Sequence, residues 1–461
     1  MKKYYLLFLL FVLTIKPINA QFGPQQIISN TTLDPRNSLP FDIDNDGDMD
    51  VLSSSGDDYK LRWYRNMDGQ GNFSDEIIIS EYTAWFLSIE FKDFDGDGDK
   101  DLIFLENNPR ILGWFENLDG FGNFGDAQVI FEDHPLIIRG FELNDIDNDN
   151  DDDLIVKFSN HIAWYENLDG MGNYGDEIML VESVQLVYPP VLVDIDNDGN
   201  IDLLTAHENN GPATIIWFKN LGDVSFGPMQ EIYNFDFIQS DWTSIYYMLF
   251  DDVNSDQLND LVIMTHNDDI GTFHYWLENL DGEGSFGPLQ SIQNLIGFYR
   301  LYDLDNDDDL DFLGGYHFSD DFYWIENEDG LGSFGPKITI STEIDFLKDL
   351  RAADFNGDGL LDVVTASIGD DKIAWYENGV LGIEELIKTQ INIYPNPSKG
   401  IINLDSNKPL KSIKVFDVLG TLLLEQENSL IQIDISTLSS GLLFIHFETD
   451  EGSFVKKVIK E

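Results

Sequence analysis

Carboxylates set two residues apart, with a further one after a turn, can surround a hard cation, and this chain repeats that pattern seven times. A nine-residue phrase begins at Asp42, Asp93, Asp145, Asp194, Asp252, Asp303 and Asp354, reading DIDNDGDMD in the first copy, DFDGDGDKD in the second and DFNGDGLLD in the last. Those seven Asp hold position 1. Position 3 is Asp44, Asp95, Asp147, Asp196, Asn254, Asp305 and Asn356, and position 5 is Asp46, Asp97, Asp149, Asp198, Asp256, Asp307 and Asp358. Position 9 is Asp50, Asp101, Asp153, Asp202, Asp260, Asp311 and Asp362. Ca²⁺ takes roughly six to eight oxygens from carboxylates, amides and backbone carbonyls. The phrases hold 32 acids between them, which repel one another unless a cation intervenes. These residues are therefore expected to bind Ca²⁺ as a structural ion. The weakest copies are the fifth, with Asn254 and with Gln257 in the usual glycine place, and the third and sixth, with Asn150 and Asp308 there. A helix-flanked EF-hand is excluded, since its position 12 needs Glu and here holds Ser53 in the first copy and Phe104 in the second.

The elements that must carry these loops are strands. Each phrase runs straight into apolar residues, such as Val51-Leu52 and Val363-Val364, and a second phrase follows at a steady distance: RWYRN, GWFEN, AWYEN, IWFKN, YWLEN, YWIEN, AWYEN. Its tryptophans are Trp63, Trp114, Trp164, Trp217, Trp276, Trp324 and Trp375, and a glycine-rich turn such as LDGFGNFG usually trails it. Each repeat holds about four short β-type runs bounded by Asn, Asp and Gly, and none shows a 3.6-residue period. Four-stranded units arrayed about an axis make a β-propeller, here of seven blades. The repeated Trp residues are expected to pack blade on blade rather than to stack on sugars.

The seventh repeat stops at Asn378, without the FGP-type strand that follows elsewhere. The missing piece stands near the start of the chain as Phe22-Gly23-Pro24-Gln25-Gln26-Ile27-Ile28. The first strand is thus predicted to complete the last blade, hiding two raw sheet edges.

Composition narrows the function. A formal charge of −59, from 85 acids against 26 Lys and Arg, excludes nucleic acid and anionic membrane surfaces as partners. No cysteine is present, so neither disulfides nor thiolate chemistry is available. Lys2 and Lys3, the apolar run from Tyr4 to Ile15 and Ile18-Asn19-Ala20 form a secretory signal over residues 1–20, with cleavage expected after Ala20 and no membrane span afterwards.

The D-x-D-x-D-G-x-x-D loops with their FG turns resemble the FG-GAP/VCBS repeat family over residues 21–381, which implies a seven-bladed propeller with calcium after each innermost strand. Past a linker at 382–390 the acidic phrase disappears. Residues 391–461 read as about six short strands of a small β-sandwich. With Tyr394-Pro395-Asn396-Pro397 and Gly400, Asp417 to Gly420, Leu438 to Gly441 and Lys456-Lys457, they resemble a type A sorting domain of type IX secretion. A carbohydrate-binding or spacer sandwich is the alternative. The resemblance implies a Bacteroidetes-type cell, engagement of the type IX machinery and removal of this domain, leaving the propeller secreted or on the outer cell surface.

The face opposite the calcium loops breaks the repeat with Trp85, Arg139, Tyr188, Trp242, Tyr246, Tyr247, Arg300 and Arg351. Aromatics suit sugar stacking and scarce Arg suits a carboxylate, so the expected function is non-enzymatic binding of a glycan or protein ligand. The alternative is a polysaccharide lyase or hydrolase built on His207, His266 and His317, which recur at similar points of three successive repeats. No nucleophile motif, phosphate loop or HExxH phrase accompanies them.

Overall fold

The structure is a computed structural model. It describes residues 22–460 apart from 82–85, 107–110, 133–135, 160, 183–190, 208–212, 223–224, 236–243, 268–270, 318, 380–390, 407–409, 417–420, 427–430 and 450–451. The expected signal segment and linker lie outside the described residues. The chain divides into two compact units, 1–378 and 379–461.

The first unit is all β, with seven four-stranded antiparallel sheets among the described residues. Sheet 1 runs Leu39–Phe41, Asp50–Ser54, Lys60–Tyr64 and Ile77–Glu81, and sheet 2 opens with Phe86–Lys92 and Asp101–Glu106. Sheets 3, 4, 5 and 6 open at Ile138–Asn144, Val191–Val193, Ser244–Asp251 and Phe298–Tyr302. Sheet 7 holds Leu347–Ala353, Asp362–Ser367 and Lys372–Tyr376, and its fourth strand is Gln26–Ser29 from the start of the unit.

That fourth strand follows the sequence prediction closely. Gln26 pairs with Trp375 and Ile27 with Ala374. Phe22 bridges Asn378 just as Phe73 bridges Asn66, Phe124 bridges Asn117 and Phe334 bridges Asn327. The Gly23 N–H donates to the Glu377 carbonyl at 2.8 Å, the same bond that Gly125 makes to Glu116 and Gly335 to Glu326.

Position in each sheet matches residue type. Second strands such as DVLSS and DLIFLE are buried at every residue, and third strands such as KLRWY nearly so, because both faces meet a neighbouring sheet. First strands lie against one another from sheet to sheet, Phe86–Lys92 beside Ile138–Asn144 and Leu39–Phe41 beside Leu347–Ala353, and so face the axis. The acidic phrases all join first strands to second strands, at one end of the sheets.

The repeated Trp are 0 to 8% exposed. The second glycine of four LDGxG-type turns, Gly71, Gly122, Gly284 and Gly332, allows this closeness. A Cβ on Gly122 would stand 2.6 Å from the Trp63 ring of the preceding sheet, and one on Gly332 2.6 Å from Trp276. The Trp residues are therefore packing groups between sheets, as the alternation predicts.

The second unit pairs a three-stranded sheet (Ile391–Tyr394, Ile401–Ser406, Gln432–Asp434) with a four-stranded one (Leu422–Gln426, Ser412–Phe416, Gly441–Thr449, Gly452–Lys460). They share one core around Ile402, Ile413, Ile433, Ile445 and Val458. Seven described strands replace the six or so predicted. Asn396 of the YPNP segment donates from Nδ2 to the Lys457 carbonyl and accepts at Oδ1 from the Ile459 N–H, both at 2.9 Å, tying that motif to the last strand.

Candidate metal centres

One hydrogen-bond scheme recurs in all seven loops. The position-1 carboxylate accepts the position-6 N–H at 2.8–3.1 Å, for instance Asp42 from Gly47 and Asp252 from Gln257. The position-5 carboxylate accepts the position-7 N–H at 2.8–3.3 Å. These bonds wind the backbone so that side chains 1 and 3 converge, with position 9 in loops 1, 2 and 4 and with position 5 in loops 3 and 6. Such winding needs a left-handed residue at position 6. Gly47 has φ +95° and Gly199 +88°, while Asn150, Gln257 and Asp308 take +75°, +72° and +72°. The loops without glycine thus hold the same turn, and their departure from the consensus costs local strain rather than shape.

Position 9 has a second task that sequence reasoning missed. Each of these Asp residues is at most 1% exposed, and its Oδ1 accepts the N–H of the Asn in the following W-x-x-N phrase at 2.7–2.9 Å. Its Oδ2 accepts the N–H of position 2 at 2.9–3.2 Å. One carboxylate therefore clamps the loop to the third strand. Burial pushes these carboxyls up, to about 7 for Asp50 and about 8 for Asp311.

Position 3 is different. Asp44 is 3% exposed and Asp305 8%, yet Asp44 Oδ1 and both oxygens of Asp305 are buried without a hydrogen-bond partner, as is Asp196 Oδ1 and, at position 1, Asp93 Oδ1. Burial and then the position-5 neighbour raise the Asp44 carboxyl, and the same two causes raise Asp95, Asp147 and Asp305, the last to about 7. Within each of five loops, three carboxylates place one oxygen apiece within 4.8 Å of one another: Asp42, Asp44 and Asp50; Asp93, Asp95 and Asp101; Asp145, Asp147 and Asp149; Asp194, Asp196 and Asp202; Asp303, Asp305 and Asp307. Loops five and seven carry Asn254 and Asn356 at position 3, whose amide oxygens accept the N–H of Asp256 and Asp358 at 3.1 and 3.0 Å. Buried, unpartnered oxygens clustered at this spacing fit a hard divalent cation.

The predicted ligand residues scatter. Trp85, Tyr188 and Trp242 lie outside the described residues. Arg139 is exposed on its strand, and Tyr246 is 58% exposed beside the His266 ring. Arg300 and Arg351 fall within one chain of contacts along first strands of sheets 5, 6, 7 and the approach to sheet 1. Arg300 donates to the Tyr247 hydroxyl and lies 3.7 Å from Asp349, Arg351 lies 3.4 Å from Asp349, and the Ser38 N–H donates to Asp349 at 3.0 Å. Farther round the axis, Glu90 and Glu142 stand on neighbouring first strands. Burial raises both, Glu90 to about 7 and Glu142, with Glu90 repelling it, to about 8.

The three histidines do not form a metal-holding group among the described residues. His266 Nδ1 sits 3.0 Å from Thr272 Oγ1, and His317 stacks on Phe298 with its Nδ1 3.3 Å from the Leu347 carbonyl. Their similar offsets in sequence place them on separate sheets, which is why the repeat spacing misleads.

Comparison with known proteins agrees with this architecture. Residues 23–104 and 303–365 match the model of an FG-GAP-like repeat, and residues 392–461 match a secretion system C-terminal sorting domain. BBS1N, solved in complex with ARL6DN, is similar in fold with a TM-score of 0.51 at 9% identity, over 80% of this chain and 99% of that one. A protein of unknown function from Dyadobacter fermentans aligns at 10% identity and TM-score 0.41, over 77% of this chain and 98% of that one. No curated protein matches the chain in sequence. No helix among the described residues is long and apolar enough to cross a membrane. The chain carries FG-GAP-like repeats folded as a β-propeller, followed by the sorting domain of type IX secretion, and is a secreted or cell-surface protein.

Proposed function

We propose that the protein is an exported, calcium-loaded propeller of seven blades, one for each four-stranded sheet, that binds a carboxylate-bearing glycan or protein partner without transforming it. The observation that carries the calcium part is at position 3 of loop 6, where both oxygens of the buried Asp305 are unpartnered in a cage with Asp303 and Asp307. A cation bound only by the folded chain stabilises it by mass action, which suits a protein without disulfides. The binding part rests on Arg300 and Arg351, two scarce cations held side by side on the first strands with one carboxylate, Asp349, between them. The second unit supplies the address read by the type IX machinery.

Chelation should lower the melting temperature of residues 21–461 by about 10 °C, the shift for roughly 7 kcal/mol of binding shared among several ions in a domain of this size. A melt indifferent to chelator rejects the calcium reading. Retention on immobilised acidic polysaccharides or on intact cells, lost in Arg300→Gln and Arg351→Gln, supports the binding reading. Retention unchanged by both substitutions moves the ligand site elsewhere, and product release from the polysaccharide shows an enzyme instead.

A further inference from the structure

The residue just before Asn in the tryptophan phrase is Glu116, Glu166, Glu278, Glu326 and Glu377 in five repeats, but Arg65 and Lys219 in the first and fourth. Its place is beside the position-3 and position-5 side chains of its own loop. In loop 7, Glu377 Oε1 accepts from Asn356 Nδ2 at 3.2 Å. In loop 1, Arg65 Nε lies 2.6 Å from Asp44 Oδ2 and its Nη2 donates to Asp46 Oδ2 at 2.8 Å. In loop 4, Lys219 Nζ contacts Asp196 Oδ2 and lies 2.8 Å from Asp198 Oδ2.

Resting on the calcium reading above, we propose that Arg65 and Lys219 are built-in counter-ions that take the place of calcium in loops 1 and 4. The ion is thereby confined to the Glu-bearing loops 2, 3, 5, 6 and 7. Each basic group holds the position-3 carboxylate, one of the three whose oxygens converge in its loop, together with the position-5 carboxylate beside it, and it does so at the effective concentration of a tethered ligand. At this one position, exchanging Glu for Arg or Lys changes the local charge by two units and removes a carboxylate from the cage. The buried orphan oxygens mark the cages as cation sites independently of their acidity: Asp305 in loop 6 keeps both oxygens unpartnered, whereas Asp44 and Asp196 keep only the oxygen turned away from the basic group. Loops 1 and 4 therefore keep their shape in chelator, while the other five depend on the ion.

The test is ion stoichiometry on residues 21–461, by titration calorimetry with calcium and by terbium luminescence. The expected count is five, rising by one with Arg65→Glu, by one with Lys219→Glu and by two with both. Arg65→Gln and Lys219→Gln serve as milder replacements should the Glu variants fold poorly, and they too should add ions, more weakly bound. A wild-type count of seven, or a count unmoved by all four substitutions, overturns the inference while leaving the calcium reading standing. Absence of any bound calcium or terbium overturns the calcium reading and this inference with it.

Discussion

The Asn66 side-chain amide donates a 2.8 Å hydrogen bond to the Phe355 carbonyl, joining sheet 1 to the acidic loop of sheet 7 across 289 residues. The same bond, from the same Asn to the same position-2 carbonyl, joins Asn220 to Ile146, Asn327 to Val253 and Asn378 to Leu304, each across 74 residues. The junction between the two ends of the unit is thus chemically the same as the junctions within it.

Asn66→Ala should cost about 2–3 kcal/mol, because it leaves the buried Phe355 carbonyl without its donor and also removes the 3.2 Å bond to Met49. Asn220→Ala should cost a similar amount. Denaturant melts compare the two. A much larger loss for Asn66 would show the closing junction to be the one on which the others depend, against the equivalence drawn here.

Gln257 holds φ +72° where four other loops have glycine. Gln257→Gly should stabilise the chain by about 1 kcal/mol, with relief of left-handed strain outweighing the freer unfolded chain. A lowered melting temperature would mean that the Gln257 side chain makes a contact worth more than the strain.

Gly71 turns at φ +74° with the Trp375 ring where its Cβ would be, only 2.2 Å away. Gly71→Ala should cost about 2–4 kcal/mol, from overpacking and from strain together. Gly359→Ala is the control, because φ is +88° there but nothing lies within 4 Å. It should cost about 1 kcal/mol for backbone alone. Equal losses in the two variants would show that the Trp packing contributes nothing.

Glu90 and Glu142 predict a pH dependence. Their folded carboxyls are raised to about 7 and about 8 from an ordinary 4.5, so between those values the folded state holds protons that the unfolded state has released. Stability from these groups is complete below about pH 4.5 and is lost as pH rises towards 8. Glu142→Gln should therefore raise the melting temperature at pH 8 and flatten its slope between pH 5 and pH 8. A slope identical to wild type would show that Glu142 is not the group responsible.

The features legible in sequence were local and repeated. Seven copies of one phrase specified the turn, and the orphan FGP segment at Phe22 could only pair with the strand ending at Tyr376. What stayed hidden depends on where side chains meet. Asp50 and its six counterparts read as ligands, yet their tie to Asn66 and its counterparts crosses from second strand to third. Arg65 and Lys219 stand in place of Glu in two of the seven tryptophan phrases, but only the fold brings that position to the mouth of the acidic loop. His207, His266 and His317 show the opposite case: similar points of successive repeats are separated in angle around an axis.

The pairing of Gln26 with Trp375 also sets a timetable. The first strand to be synthesised waits for a partner made only after six complete sheets, so the unit has no finished edge until nearly all of it exists. A chain broken anywhere before Lys372 presents both an unclaimed strand and an open sheet, and an export route that tolerates only fully folded cargo, or a protease that seeks loose edges, would tell the two populations apart by that single closure.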